Sequence, residues 1–432
     1  VLVLNVGKPS DGEIAERPEA YALRQARPDY VVFVCSAKGA DRAGTQEFVR
    51  RYADHAKLSP DRYEELLLDD PDDLVRVYEQ ACERLRRLRK DWPQALFLVD
   101  YTAGTKSMSA ALAMAVIDQD ERVELRLVKG QRGQYATVIP GTESFRPVSG
   151  IHDLRVRRWL GPLRAALDRY DYAAALQWLD ALLEREISSA LADQLQRARD
   201  LYRAFDAWDR WDLERAERLL KAHRTVPAGE QLAYERLTVL EQLRIVRDAF
   251  EDRAVLTEER DPYVAVDDLL LNAERRAAQA RYDDATARVY RAIELLAQIR
   301  LRVAHGLVTE DVDLARVPEE CRAKLAARRD GEKAVKVGLL SAWCLLAAYP
   351  SDPLGRWFRE RESRVIDWVK RRNRSILAHG LRPIGETVWE PEGRVGLDLC
   401  REALDRLAQA KQRRKRLRHV QFPRGELLTG LT

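Results

Sequence analysis

Cysteine is scarce in this 432-residue sequence and long apolar runs are missing, and each shortage narrows what the chain can be. The five cysteines, Cys35, Cys82, Cys321, Cys344 and Cys400, are an odd set with no paired spacing. They argue against a disulfide framework and a zinc site and for a reducing compartment, so a cytoplasmic protein is expected. No stretch approaches the roughly 20 apolar residues that span a bilayer, and no secretory leader pattern opens the chain. Residue 1 is Val, already inside a strand-like run, so a trimmed native start is expected. A strong excess of one charge is lacking too. Charged residues make up 33% of the chain, yet the formal net charge is only +4. With the signs interspersed and a pI near 8.7, composition permits RNA binding without demanding it. The length leaves room for two or three domains with substantial cores.

The first 150 residues alternate strand and helix patterns. Strand-like apolar runs fall at Val1–Val6, Tyr30–Ser36, Ala95–Asp100, Val123–Val128 and Tyr135–Ile139, the last read as a hairpin partner at the sheet edge. Helical patterns lie between the first four, at Ile14–Arg27, Thr45–His55, Leu74–Leu88 and Lys106–Ala115. Such alternation predicts a mainly parallel sheet covered on both faces, with ligands bound beyond the carboxyl ends of its strands. Three of those ends carry suitable groups: Gly7, Lys8 and Ser10; Ser36, Lys38 and Gly39; and Thr102 to Lys106. In the last, Asp100-Tyr101-Thr102-Ala103-Gly104-Thr105-Lys106-Ser107-Met108 leads from a strand into an alanine-rich helix. A glycine-containing turn with hydroxyls and a lysine at a helix N-terminus suits a phosphate. A P-loop needs a glycine directly before its lysine and another five residues earlier. That spacing is absent, which excludes a P-loop nucleoside-triphosphatase.

After Pro147 the pattern is helical throughout, with segments at Arg155–Tyr170, Tyr172–Arg185, Ser188–Trp208 and Asp212–His223. Phe205, Trp208 and Trp211 are expected in the core and not on a base-stacking platform. Tyr170-Asp171-Tyr172-Ala173 and Tyr282-Asp283-Asp284-Ala285 are similar in form and suggest like-built helical hairpins. An acidic loop with a proline at Thr257–Pro262 marks a boundary, and Arg413–Arg418 is the one concentrated basic run, read as a solvated helix end in preference to an RNA contact.

Near the end of this half stands Arg372-Asn373-Arg374-Ser375-Ile376-Leu377-Ala378-His379-Gly380. On a regular helix, seven residues make almost two turns, so Arg372 and His379 would share a face roughly 10 Å apart along the axis. Arg374 would land on the far side, which prefers Arg372 as partner and keeps Arg374 in reserve. A second run, Arg300-Leu301-Arg302-Val303-Ala304-His305-Gly306, is a decoy with the same ending; its plain reading is a helix closing at a glycine cap.

The Arg372–His379 run resembles the arginine, four-to-six residues, histidine motif of HEPN ribonucleases. The Asp100–Met108 run resembles the Asp-Tyr-Thr-x-Gly-Thr-Lys-Ser-Met signature of a CRISPR-associated family that joins a CARF (CRISPR-associated Rossmann fold) sensor to a HEPN domain. Tyr282–Gln298 looks like an early HEPN helix of that family. This resemblance implies an α/β Rossmann-like CARF domain at residues 1–148, a helical connector at 149–260 and an all-α HEPN domain at 261–432. It also implies an endoribonuclease of type III CRISPR antiviral defence, acting on single-stranded RNA as a two-fold homodimer and switched on by a cyclic oligoadenylate, with tetra-adenylate favoured over hexa-adenylate. Candidate ligand contacts are Lys8, Ser10, Ser36, Lys38, Thr102, Gly104, Thr105 and Lys106. Candidate catalytic groups are Arg372 for the scissile phosphate, His379 for proton transfer and Asn373 to orient one of them. No metal and no cofactor are expected. Two other readings stand beside this one: a ligand-binding regulator with an inert HEPN domain, and a ring nuclease that cuts its own activator.

Overall fold

Strands buried on both faces read as near-continuous apolar runs, and three segments do so up to one polar residue at the end of each: β1 (Leu2–Asn5), β2 (Val31–Ser36) and β4 (Phe97–Asp100) are buried along their whole length. The computed structural model describes residues 1–8, 14–38, 44–119, 123–131, 139, 141–148, 150–222, 230–252, 255–327, 334–410 and 421–428. With β3 (Tyr63–Leu68), β5 (Val123–Lys129) and β6 (Ser144–Pro147), these strands form one sheet in the order β3-β2-β1-β4-β5-β6. The first five run parallel and β6 runs antiparallel to β5. In a strand, alternate side chains face opposite ways. Val3, Val32, Val34, Phe97 and Val99 therefore meet one pair of helices, α3 (Leu74–Asp91) and α4 (Lys106–Ile117). Leu2, Leu4, Val31, Phe33 and Leu98 meet the other pair, α1 (Pro18–Ala26) and α2 (Val49–His55).

Two strands depart from expectation. Tyr63–Leu68 is not among the expected strands, and Glu64 and Glu65 interrupt its apolar pattern. At the sheet edge those carboxylates are accommodated: Glu64 pairs with Arg84 of α3, and Glu65 accepts from Gln46 at 2.7 Å. The antiparallel partner of β5 is Ser144–Pro147. Of the expected strand Tyr135–Ile139, residues 135–138 lie outside the described residues, as does the basic run 413–418.

The rest of the chain is helical: α5 (Ile151–Asp168), α6 (Tyr172–Leu183), α7 (Ser189–Asp209), α8 (Leu213–Ala222), α9 (Glu230–Glu251), α10 (Val264–Ala278), α11 (Tyr282–His305), α12 (Glu319–Ala326), α13 (Leu339–Ala347), α14 (Pro353–Asn373), α15 (Glu386–Val388) and α16 (Arg394–Ala410). Val1–Gly161 with Ala181–Gln194 form one compact unit; Pro162–Asp180 with the helices from Leu195 onward form a second. Three turns in this part of the chain share one backbone form. Tyr170, Trp211 and Ala280 all sit at left-handed φ, and each turn is closed by a six-to-one bond: Asp171 N–H to Ala166, Asp212 N–H to Ala207, Arg281 N–H to Arg276. Among the described residues, no helix is long and apolar enough to cross a membrane.

Phe205 and Trp208 are fully buried, gathered with Tyr172 around Phe422. Beside them lies a buried ion network. Asp209 accepts from Arg275 Nε at 2.7 Å, from Asn272 at 3.0 Å and from Arg276, while the Arg275 guanidinium also lies 3.8 Å over Phe422. Removing one partner of such a set strands a charge away from water, so Asp209→Ala should lower unfolding free energy by about 3–5 kcal/mol. Urea titration checks this; a loss below about 1 kcal/mol would show that Arg275 is hydrated.

Candidate functional site

Helix α14 begins at a cap, where the buried Asp352 carboxylate accepts from the N–H groups of Leu354 at 2.9 Å and Gly355 at 3.1 Å. It ends at Asn373. The expectation of one helix carrying both Arg372 and His379 is thereby corrected: His379 lies past the helix end. Three-residue bonds tighten the last turn, Arg374 N–H to Arg371 O at 3.0 Å and Ser375 N–H to Arg372 O at 2.9 Å. The chain then folds back. Ile376 N–H donates to Arg382 O at 3.0 Å, Arg382 N–H to Arg374 O at 3.3 Å, and His379 N–H to Asn373 O at 3.2 Å. The return is close enough to demand glycine at Gly380, where a Cβ would sit 1.9 Å from the Arg374 carbonyl oxygen. A loop, not a helical face, brings His379 to the end of the helix that carries Arg372.

The Arg372 guanidinium lies 3.9 Å over the ring of Tyr290 on α11 and donates to Asn373 Oδ1 at 3.3 Å. Two partners on two elements fix its direction. Next to it opens a cavity of 420 Å³ lined by Arg371, Arg372, Arg374, Arg382, Trp368 and Glu392, among others. Arg374 therefore shares the cavity with Arg372, though it is exposed at the helix cap. His379 is exposed and does not line this cavity. Sequence reasoning missed Tyr290, Trp368 and Arg382, which only the packing of α11, α14 and the 374–382 loop brings in.

The decoy pair has a different occupation. Arg300 Nε and His305 Nε2 both reach Asp352 Oδ2, at 2.7 and 2.9 Å, and His305 stacks on Tyr349 with ring centroids 3.7 Å apart. Its helix closes at Gly306 with left-handed φ of 64°. These residues hold the capped start of α14.

At the other end of the chain, the order 3-2-1-4-5 reverses direction between β1 and β4, so the loops after these strands flank the crevice where open α/β sheets bind ligands. The two loops touch: a Cβ on Gly7 would lie 3.3 Å from Gly104 N. Gly104 has φ of +85°, a conformation that favours glycine. Thr105 caps α4, accepting from Met108 N–H at 3.2 Å and donating to Pro71 O at 2.7 Å. Thr102 Oγ1 accepts from Val128 N–H at 2.8 Å, and buried Ser36 exchanges hydrogen bonds with Thr45. These three hydroxyls shape the loops. Lys8, Lys38 and Lys106 are exposed, one after each of β1, β2 and β4. Ser10 lies outside the described residues. Among the described residues, no group of three or more His, Cys, Asp or Glu side chains is arranged to hold a metal ion.

Beneath this edge lie further polar groups. Glu19 of α1 accepts from Gly7 N–H at 2.9 Å, and Asp100 Oδ1 accepts from Thr102 N–H at 2.8 Å. Asp100 Oδ2 and both amide atoms of Asn5 are buried without a hydrogen-bond partner. Burial, aided by the charge on Glu19 and opposed by the Thr102 bonds, raises the Asp100 carboxyl from 3.8 to about 6. A raised carboxyl favours the folded state most below 3.8, and that contribution is lost as pH rises through about 6. Asp100→Asn, which cannot ionise, should gain stability relative to the parent across that window, by up to about 3 kcal/mol. Urea titrations at closely spaced pH values test it; a difference independent of pH would place the shift elsewhere.

Three comparisons bear on this arrangement. Residues 256–402 match the family model described as the Csm6 HEPN domain. Over 84% of this chain and 83% of its own length, the CRISPR system endoribonuclease Csm6 of Thermus thermophilus is 24% identical. The solved structure of Enterococcus italicus Csm6 bound to cyclic hexa-2'-fluoro-hexa-dAMP superposes with a TM-score of 0.58 at 13% identity, covering 96% of this chain and 95% of that one. With a mostly parallel sheet in its N-terminal part and a region matching the Csm6 HEPN model in its C-terminal part, the chain is similar to the CRISPR-associated Csm6 proteins over most of its length.

Proposed function

We propose that this protein is a metal-independent endoribonuclease that cleaves single-stranded RNA when a cyclic oligoadenylate binds its N-terminal domain, in type III CRISPR defence in the cytoplasm. The single observation that carries the reading is the return of His379 to Asn373, its N–H 3.2 Å from that carbonyl, on the helix whose Arg372 is held by Tyr290. The ribonuclease name of the Thermus thermophilus relative supports the activity, and the ligand of the Enterococcus italicus structure supports the activator class. The domains would be 1–148 for the ligand, 149–260 as connector and 261–432 for cleavage.

The chemistry follows from the side chains. The 2′-hydroxyl of RNA attacks the adjacent phosphorus as its proton passes to a base, and the P–O5′ bond breaks as the leaving oxygen gains a proton. Products are a 2′,3′-cyclic phosphate and a 5′-hydroxyl. Arg372 would bind the scissile phosphate and offset charge on its oxygens. His379 would move the proton, since imidazole titrates near neutrality, and Asn373 would hold Arg372. One chain offers one such set, so a two-fold homodimer would place two sets in one cleft. Activation requires the ligand to bind the active arrangement more tightly than the resting one.

The test is a fluorogenic RNA assay against cyclic oligoadenylates of different ring size, in EDTA, with product ends analysed and solution mass measured. Tetra-adenylate is expected to activate best; the six-membered ring bound by the Enterococcus italicus protein is the competing outcome. Cleavage that needs added divalent metal, or full activity from a single-chain mass, would overturn those parts of the reading.

A further inference from the structure

The loop that returns His379 does a second thing: it sets Arg382 beside Arg374. Ser375 and Arg382 form an isolated parallel bridge, and Arg382 N–H bonds Arg374 O at 3.3 Å. Both side chains line the 420 Å³ cavity with Arg371 and Arg372. Only one carboxylate, Glu392, lines it with them, and Glu392 is engaged by Arg371 at 3.4 Å. Arg374 and Arg382 have no ion-pair partner among the described residues. Like charges held together by backbone pairing repel unless an anion is supplied, so this wall favours phosphate. Trp368 and Val388 give the same cavity an apolar part. A volume of this size suits a small ligand with one apolar and one charged end. A single nucleotide has that character, and unpaired RNA offers it without the cost of opening a duplex.

We propose that this cavity is a substrate subsite that seats one nucleotide of single-stranded RNA, its base against Trp368 and Val388 and its phosphate on Arg374 and Arg382. The assignment rests on the ribonuclease reading of Arg372, which lines the same cavity and would hold the neighbouring, scissile phosphate. Glu392 accepts hydrogen bonds and donates none, so it faces the base edge as a discriminator and favours bases that present N–H donors.

Binding and cleavage separate this proposal from the reading it rests on. Fluorescence anisotropy of the full chain with a short 2′-fluoro oligonucleotide, which lacks the attacking hydroxyl, measures the subsite without turnover. Arg382→Ala should weaken binding about 10- to 100-fold, the loss of one charge-assisted contact. It should also flatten the salt dependence, lowering the slope of log affinity against log salt by about 0.7, which a merely structural role would not do. Val388→Trp fills the apolar part at a position already 39% exposed, so folding is not at risk. It should weaken binding by about 10-fold or more and level the cleavage rates of RNAs that differ at one base. Unchanged affinity in both variants, with the parent binding normally, overturns the subsite. Loss of affinity in both, in a parent that cleaves no RNA under any activator, upholds the subsite and removes the ribonuclease reading.

Discussion

Arg372→Ala and His379→Ala are each expected to lower the activated RNase rate by about 10²- to 10⁴-fold, the range for losing a positioned acid–base group or a charge-stabilising donor. Melting temperature and activator affinity should hardly move. Arg372 is half-buried against Tyr290 and His379 is exposed, so neither removal opens a cavity in the core. His305→Ala is the matched control, and its effect should be of the opposite kind. The imidazole there bonds a buried carboxylate that also caps α14, so its loss should cost about 1.5–3 kcal/mol of stability. Arg300 stays on Asp352 and α14 stays capped, so kcat per folded molecule should be close to that of the parent. Thermal melts alongside cleavage rates decide the matter. If His305→Ala loses rate as His379→Ala does while both stay folded, the active histidine has been chosen wrongly.

Lys106→Ala should weaken cyclic oligoadenylate binding by roughly one to two orders of magnitude, as one charge-assisted phosphate contact is worth about 1.5–3 kcal/mol. Lys106 is exposed at the first position of α4, where the early N–H groups have no partner within the helix. Because Thr105 makes the cap, the helix start survives the substitution. Saturating activator should therefore restore most of the RNase rate. Titration calorimetry with cyclic tetra- and hexa-adenylate gives the affinity, and the fluorogenic assay gives the rate. Normal binding with lost turnover of a labelled activator would move Lys106 into a ring-cleaving role. No change in either would reduce Thr102–Lys106 to a structural turn.

What could be read without a structure was whatever is written in local period. β1, β2 and β4 show as apolar runs because both faces of the sheet are covered there, β5 shows by its recurring Val and Leu, and α3, α4, α6 and α8 show within a few residues of their observed ends. The turn at Asp100–Met108 is likewise local: glycine at positive φ, threonine cap and lysine stand in one stretch of chain. β3 and β6 escaped because edge strands need no continuous apolar pattern, and Glu64 is matched by an arginine on another element.

The run from Arg372 to His379 is where local reading failed most instructively. Arg371 to His379 contains no proline or glycine, so periodicity extends the helix through it. Its end at Asn373 is set by bonds from Ile376 and Arg382 that close a loop the sequence does not announce, and by a contact at Gly380 that only a missing Cβ permits. The identity of Arg372, Asn373 and His379 was legible as chemistry; how they meet was not. Helix propensity is summed over neighbours, whereas the direction of Arg372 depends on Tyr290 of another helix, and the cavity beside it on Arg382 and Trp368. The sequence alone determined the alternation of the sheet domain and the glycine, threonine cap and lysine of the Thr102–Lys106 turn. Tertiary structure alone decided which histidine is tied to a buried carboxylate and which is exposed, because Asp352, the cap of α14, claims His305 and no described carboxylate claims His379.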